Sequence, residues 1–254
     1  MPASSIVDWW PFDEAGGSVA HDTAGFTNNG AYSGGPTVGT VKVGRALCFN
    51  GKTASVVVKN HPEINFQGDC SNDAAEAITI DAWIATKASG LQVILDKRAA
   101  SPNFLRGYSL FILNGRLGFQ MATGPGNAIC GSPGSACTNY VTPATAPLVN
   151  DGNPHFIAVT VSRCRGAVGK LYIDNFVDTF KPMVGDISNK VNLFIGKRYP
   201  IPTTIFFDGC IDELEFFKDV LSQSELSQIF NAGAKGKCKR KVLGDAGAVQ
   251  KQDQ

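Results

Sequence analysis

From Ile6 onward the chain is a succession of short apolar runs, each about a strand long, broken by Gly, Pro, Asn and Asp. Punctuation this regular leaves room for little besides a β-sandwich or a barrel. The runs predict strands at 6–11, 46–49, 55–58, 77–85, 92–96, 108–113, 116–121, 156–162, 169–173, 191–195 and 207–216. Asn114-Gly115, between two alternating runs, and Asp174-Asn175 are turn dipeptides that tolerate positive φ, so both predict hairpins. One segment breaks the pattern. Ser222 and Glu225 have capping-box spacing, Leu221 and Leu226 stand at the hydrophobic-staple positions, and Leu226, Ile229 and Phe230 follow at i, i+3 and i+4. With Gly233 as the stop, they predict one short helix over 222–232.

Composition agrees with a single sandwich. At 254 residues and 43% hydrophobic content the chain can bury a sizeable core. Its 28 glycines and 13 prolines favour many turns over long helices. A net charge of +1 supplies no global field to recruit nucleic acid or an anionic bilayer. No apolar run approaches the ~20 residues that span a membrane. The first residues, Met1-Pro2-Ala3-Ser4-Ser5, lack the basic and apolar regions of an export signal, so the chain is expected to be cytosolic or to have lost that signal.

The seven cysteines favour the second expectation, a secreted or cell-surface location. Cys130 and Cys137 flank the turn-rich hexapeptide Gly131-Ser132-Pro133-Gly134-Ser135-Ala136, which can bring their Cβ atoms together and predicts a disulfide. Cys238 is expected to staple the C-terminus to the sheet through Cys210 or Cys48. Pairing among Cys48, Cys70, Cys164, Cys210 and Cys238 stays open, and an odd count leaves at least one thiol unpaired.

The strands carry ordered marks. Trp10-Pro11-Phe12-Asp13 and Asp22-Thr23-Ala24-Gly25 come first, then Arg45-Ala46-Leu47-Cys48-Phe49-Asn50-Gly51, Ile78-Thr79-Ile80-Asp81-Ala82-Trp83 and Gly107-Tyr108-Ser109-Leu110. Asp151-Gly152-Asn153-Pro154-His155-Phe156, Leu171-Tyr172-Ile173-Asp174 and Phe207-Asp208-Gly209-Cys210-Ile211-Asp212-Glu213 complete the series. Over residues 6–238 this order resembles bacterial laminin-G-like, concanavalin-A-like jelly-roll domains, with departures at Pro154, Asn50 and Asn175. The resemblance implies an all-β antiparallel two-sheet jelly-roll sandwich with one short C-terminal helix. It also implies a structural calcium held by Asp212, with Asp22 and Gly51, or a carbonyl near Gly25, completing the shell; calcium takes six to eight oxygens, so one site can join distant segments. The alternative for Asp212 is to accept backbone N–H bonds or pair with a lysine.

Other chemistries find less support. Glu213 and Glu215, two apart, would share a strand face as a glycosidase pair must, but no E-x-D-x-E string accompanies them and a solvated strand face accounts for both. His21, His61 and His155 are too scattered for a metal cluster, and His155 reads as a packing or hydrogen-bonding residue. Neither a G-x-S-x-G elbow nor a glycine-rich phosphate loop occurs. Sugar rings stack on aromatics while their hydroxyls take polar side chains, which selects Tyr32, Tyr140, Tyr199, Trp9 and Arg198 as loop-proximal ligand candidates and leaves Trp10 and Trp83 to the core. The irregular region 123–150 is the preferred place to look for a ligand. The basic run at 235–241 reads as a solvated linker.

The expectation is a jelly-roll domain over 1–240 and a flexible tail over 241–254. Its expected function is that of a secreted, non-catalytic carbohydrate-binding module with a structural calcium. A protein-binding adhesion module is the alternative and a glycoside-active enzyme the third reading. The expected partner is a glycan, a polysaccharide or a surface protein, without nucleic acid and without membrane insertion.

Overall fold

A computed structural model describes residues 5–66, 77–101, 103–126, 130–132, 134–163, 166–198 and 204–236. Its sixteen strands are β1 (Ile6–Trp10), β2 (Val19–Ala20), β3 (Gly30–Ser33), β4 (Thr37–Gly39), β5 (Ala46–Asn50), β6 (Ser55–Val58), β7 (Ala77–Ala85), β8 (Leu91–Ser101), β9 (Phe104–Leu113), β10 (Arg116–Pro125), β11 (Cys137–Val141), β12 (His155–Ser162), β13 (Val168–Ile173), β14 (Phe176–Phe180), β15 (Leu193–Ile195) and β16 (Asp208–Phe217). They form two antiparallel sheets. One runs β14-β13-β12-β7-β16-β5-β4, with β1 also on β16; the other runs β11-β10-β9-β8-β15-β6-β3-β2. The expected sandwich is present, and β6 and β7 have the expected bounds. The region 123–150 holds a strand that its Gly- and Pro-rich composition concealed, β11, whose five residues pair with β10.

Alternation along each strand sends one set of side chains inward. Trp10, Ile80, Leu110, Phe119, Val159 and Phe216 meet between the sheets, with Tyr108 in ring contact with Phe66, Phe119 and Phe216. The other face of the first sheet is also covered. The helix α1 (Gln223–Ala232) lies there, its start fixed by the Ser222–Glu225 capping box and its end by Gly233 at φ 51°. Leu221, Leu226 and Ile229 pack on Trp83, Phe156, Tyr172 and Phe217, and Phe230 stacks on Trp83 at 5.6 Å. Each buried aliphatic anchor contributes about 1.5–3 kcal/mol, more than this short helix could supply by itself.

Strand β16 changes partners midway. Its first residues pair with β5 and its last with β1, and between them a β-bulge at Asp212–Glu215 places Glu213 at φ 53°. Cys210 sits directly opposite Cys48 in this register and the two are disulfide-bonded. Gly39 leaves room for the bridge, since a Cβ there would lie 2.3 Å from Cys48 Sγ. The expectation that Cys238 pairs with Cys48 or Cys210 is therefore corrected: register on adjacent strands has bonded those two to each other. Cys70, Cys164, Cys238 and the 241–254 tail lie outside the described residues.

A buried lysine ties the loops at one end. Lys97 Nζ donates to Asn60 Oδ1, Asn65 Oδ1, Asn189 Oδ1 and the carbonyls of Asn189 and Val191, at 2.9–3.2 Å. Burial pulls its pKa down to about 8, and the five oxygens favour the charged form at neutral pH.

Candidate ligand-binding face

Among the described residues no helix lies on the outer face of the second sheet, and side chains there stand in transverse rows. Asp96 lies opposite Ser109, Ser109 opposite Gln120, and Gln120 opposite Asn139, a polar row across β8–β11. The next row is Val93, Phe111, Gly118 and Val141. Register alone makes this arrangement, because four strands whose outward positions line up must present their side chains in stripes. Gly118 admits the Phe111 ring: a Cβ at 118 would come within 2.4 Å of two of its atoms.

Between these rows is a depression of about 160 Å3. Leu91, Val93, Phe111 and Leu113 form its apolar side, and Arg98, Ser109, Gln120 and Asn139 its polar side. Arg198, just beyond β15, completes the wall. The Arg98 guanidinium donates to Asp96 through Nε and to Gln120 Oε1 through Nη1. Gln120 Nε2 donates in turn to Asn139 Oδ1 at 2.6 Å and to Cys130 Sγ at 3.0 Å. The Cys130–Cys137 disulfide is formed as expected and borders this network. Burial, and after it the nearby Arg98 charge, hold the Arg198 guanidinium below its ordinary pKa.

Of the residues selected from sequence, Arg198 is the one placed in this depression. Tyr140 points to the other side of its strand, stacked on Phe180 at 4.1 Å. Tyr32 is partly buried against the core and donates to Glu14 Oε2 at 3.2 Å. Trp9 is buried, with Nε1 donating to Glu213 Oε2 at 2.6 Å. Tyr199 lies outside the described residues. Sequence reasoning missed Arg98, Phe111, Gln120 and Asn139. The available signal was alternation: β9 buries Tyr108, Leu110 and Ile112, which turns Ser109, Phe111 and Leu113 outward.

The expected calcium ligands do not converge. Asp22 is a loop brace: Oδ1 accepts from the N–H groups of Trp9 and Ala24, and Oδ2 from that of Asn28. Gly51 lies against Asp208, about four strand residues from Asp212, or roughly 13 Å. Asp212 Oδ2 accepts from the N–H groups of Lys42 and Val43, the backbone alternative named above, while its buried Oδ1 has no hydrogen-bond partner among the described residues. Burial raises the Asp212 pKa to about 7. As one set these three residues do not fit a calcium ion.

The solvated-face reading of Glu213 and Glu215 is also corrected. Glu215 is fully buried and Glu213 is 4% exposed, because the helix and neighbouring loops cover that side of the first sheet, and the bulge breaks the simple alternation assumed for them. His155 bridges Asp174 at 2.7 Å and Asp151 at 3.1 Å, the hydrogen-bonding role expected of it, and these carboxylates raise its pKa.

Comparison places this geometry among known folds. The laminin G profile of the concanavalin A-like lectin/glucanases superfamily matches residues 50–227. No curated protein sequence matches the chain significantly. Among solved structures, the binding domain of Paraclostridial Mosquitocidal Protein 1 superposes with a TM-score of 0.69 at 15% identity, over 91% of this chain and 52% of that one. The binding domain of botulinum neurotoxin DC, solved with rat synaptotagmin II, gives 0.63 at 15%, over 91% and 52%. Botulinum neurotoxin type C, whose uptake by cells depends on interaction with two ganglioside molecules, gives 0.61 at 18%, over 91% and 51%. The chain spans about half the length of each neighbour, and at these identities the likeness is one of fold. With well over half of its sequence matched by the profile, the chain belongs to the concanavalin A-like lectin/glucanases superfamily as a laminin G-like jelly-roll domain.

Proposed function

We propose that this domain is a non-catalytic carbohydrate-binding module, acting outside the cell, whose ligand lies on the outer face of the second sheet. The observation that carries the reading is the pairing of a polar row, Asp96-Ser109-Gln120-Asn139, with an apolar row through Val93 and Phe111. A sugar ring needs both: donors and acceptors for its hydroxyls and an apolar surface for its C–H face. The two disulfides suit an oxidising compartment. Neighbours that interact with gangliosides, or are solved with a sialylated ligand, support carbohydrate as the ligand class.

A glycan array tests the reading: binding by the wild type, weakened at least tenfold by Gln120→Ala, is the expected result. Binding that survives Gln120→Ala unchanged would place the ligand elsewhere. The adhesion reading is favoured by one observation, the neighbour solved with synaptotagmin II, and it predicts a blank array with retention on a protein ligand. Enzymatic activity finds no support at Glu213 and Glu215, which lie on the covered face of the first sheet. A structural calcium stays in this proposal with Asp212 Oδ1, a buried oxygen without a hydrogen-bond partner among the described residues, as one of the six to eight oxygens the ion needs. A ligand that binds only the folded state raises its stability, so a melting midpoint unmoved by EDTA would remove calcium from the account.

A further inference from the structure

The hydrogen bonds along the polar row can run in one direction only, because one of their members is an arginine. A guanidinium has donors and no acceptor, so Gln120 must turn Oε1 toward Arg98 Nη1 and its amide nitrogen the other way. Gln120 Nε2 then donates to Asn139 Oδ1 at 2.6 Å and to Cys130 Sγ at 3.0 Å. Both ends of the Gln120 amide are thus used within the protein. Asn139, which has given its oxygen to this bond, is exposed on β11 and keeps the Nδ2 donors for a ligand. Ser109, in the same row, donates its hydroxyl to the Leu95 carbonyl at 2.9 Å and has only lone pairs left to offer. Asp96 steadies the start of the chain by accepting from Arg98 Nε.

Resting on the carbohydrate reading above, we infer that Asn139 is the specificity-determining contact of this face and that Gln120, locked in direction by Arg98, is the positioning residue behind it. Asn139 Nδ2 selects a sugar that presents a hydrogen-bond acceptor at this point. A primary amide turned over by half a turn exchanges donor and acceptor with almost no change of shape, so packing alone would not choose between the two orientations. Arg98 makes the choice before any ligand arrives, and the sugar does not have to reorder the amides on binding. Ligand groups are told apart accordingly. An ether oxygen or an acetamido carbonyl meets Asn139 as well as a hydroxyl does, whereas a group that can only donate brings N–H against N–H and leaves both unpaired.

The test uses the methyl glycosides of glucose, galactose, mannose and N-acetylglucosamine on the intact domain. The tightest binder is then prepared with each ring hydroxyl replaced in turn by hydrogen, which removes donor and acceptor, or by a methyl ether, which removes the donor alone. Asn139→Asp keeps the oxygen that accepts from Gln120 and exchanges the outward donors for an oxygen. Gln120→Glu keeps the oxygen toward Arg98 and loses the N–H that Asn139 accepts, so the Asn139 amide turns over and presents Oδ1 outward. Melting curves verify the folding of both. In the wild type, one ring position should show a deoxy analogue weakened about tenfold, the worth of one hydrogen bond, and a methyl ether within about threefold of the parent. In both variants the parent hydroxyl can donate to the new outward oxygen and binding is kept, while the methyl ether falls to the level of the deoxy analogue. Variants that keep the wild-type pattern, or that weaken parent and analogues alike, would overturn the inference and leave the carbohydrate reading standing. So would a wild type that rejects the methyl ether at every position. A measurement without sugar separates the two readings: side-chain amide exchange by NMR should find the Asn139 protons fast in the wild type and slowed in Gln120→Glu, and unchanged exchange would overturn the positioning role. No binding by any of the four glycosides would overturn the selection by Asn139, and a blank glycan array beside it the carbohydrate reading as well.

Discussion

Replacing Cys48 and Cys210 together with serine tests whether chain connectivity holds this fold. The bridge closes a loop of 162 residues, so the chain-entropy relation assigns it about 5 kcal/mol at 25 °C. The Cys130–Cys137 bridge spans only 7 residues and by the same relation contributes about 2.4 kcal/mol. For a domain of this size about 1 kcal/mol moves the melting midpoint by 2–4 °C, so the two double variants should lose roughly 10–20 °C and 5–10 °C. Thermal melting followed by circular dichroism measures both, with reduced wild type approaching the combined loss. Binding should divide the other way. Gln120 contacts Cys130 and the short bridge borders the depression, so Cys130→Ser/Cys137→Ser should weaken ligand binding well below its melting range. Cys48→Ser/Cys210→Ser, on the first sheet, should retain affinity. A long-bridge variant that melts within 2–3 °C of wild type, or above the short-bridge variant, would refute the loop-length reasoning.

Three further perturbations probe the packing. Lys97→Met strips a charge from five oxygen acceptors and should destabilise the fold by about 3–5 kcal/mol in urea unfolding; a change under ~1 kcal/mol would show the cage to be dispensable. Asp8 is buried beside Tyr108 and His61, and burial lifts its pKa from 3.8 to about 8. The folded state therefore holds a proton that the unfolded chain releases. The stability from this group is complete below pH 3.8 and lost as pH rises through about 8, and Asp8→Asn should remove this share of the slope and leave the share of Asp212, whose pKa is raised to about 7. A wild-type profile already flat there would contradict the shift. Ser222→Ala removes the helix cap and should cost about 1 kcal/mol, read as a 2–4 °C lower midpoint; an unchanged midpoint would contradict it.

Much of the fold was legible because its signals are local. The capping box, the Asn114-Gly115 turn and the alternating runs are properties of a few adjacent residues, and each appears where the sequence placed it. Strands such as Val19–Ala20 and Thr37–Gly39 were not legible, since segments this short are held by their neighbours in the sheet and carry no pattern of their own. Register accounts for the rest. The Cys48–Cys210 pair and the row from Asp96 to Asn139 exist because distant strands align, which no short window encodes. Glu213 and Glu215 looked like a wet strand face because the helix that covers them is a tertiary fact. Arg198 is legible as a loop cation, whereas Arg98 lies within β8, where no local pattern separates a site residue from any other polar strand position.

Backbone amide shift mapping with the strongest glycan from the array decides whether the outer face of the second sheet binds sugar. Sugar on this face should perturb Arg98, Ser109, Phe111, Gln120, Asn139 and Arg198, the residues around the depression. Perturbations gathered instead around Trp83, Phe156 and Phe230, beneath and along the helix on the opposite face, would contradict it.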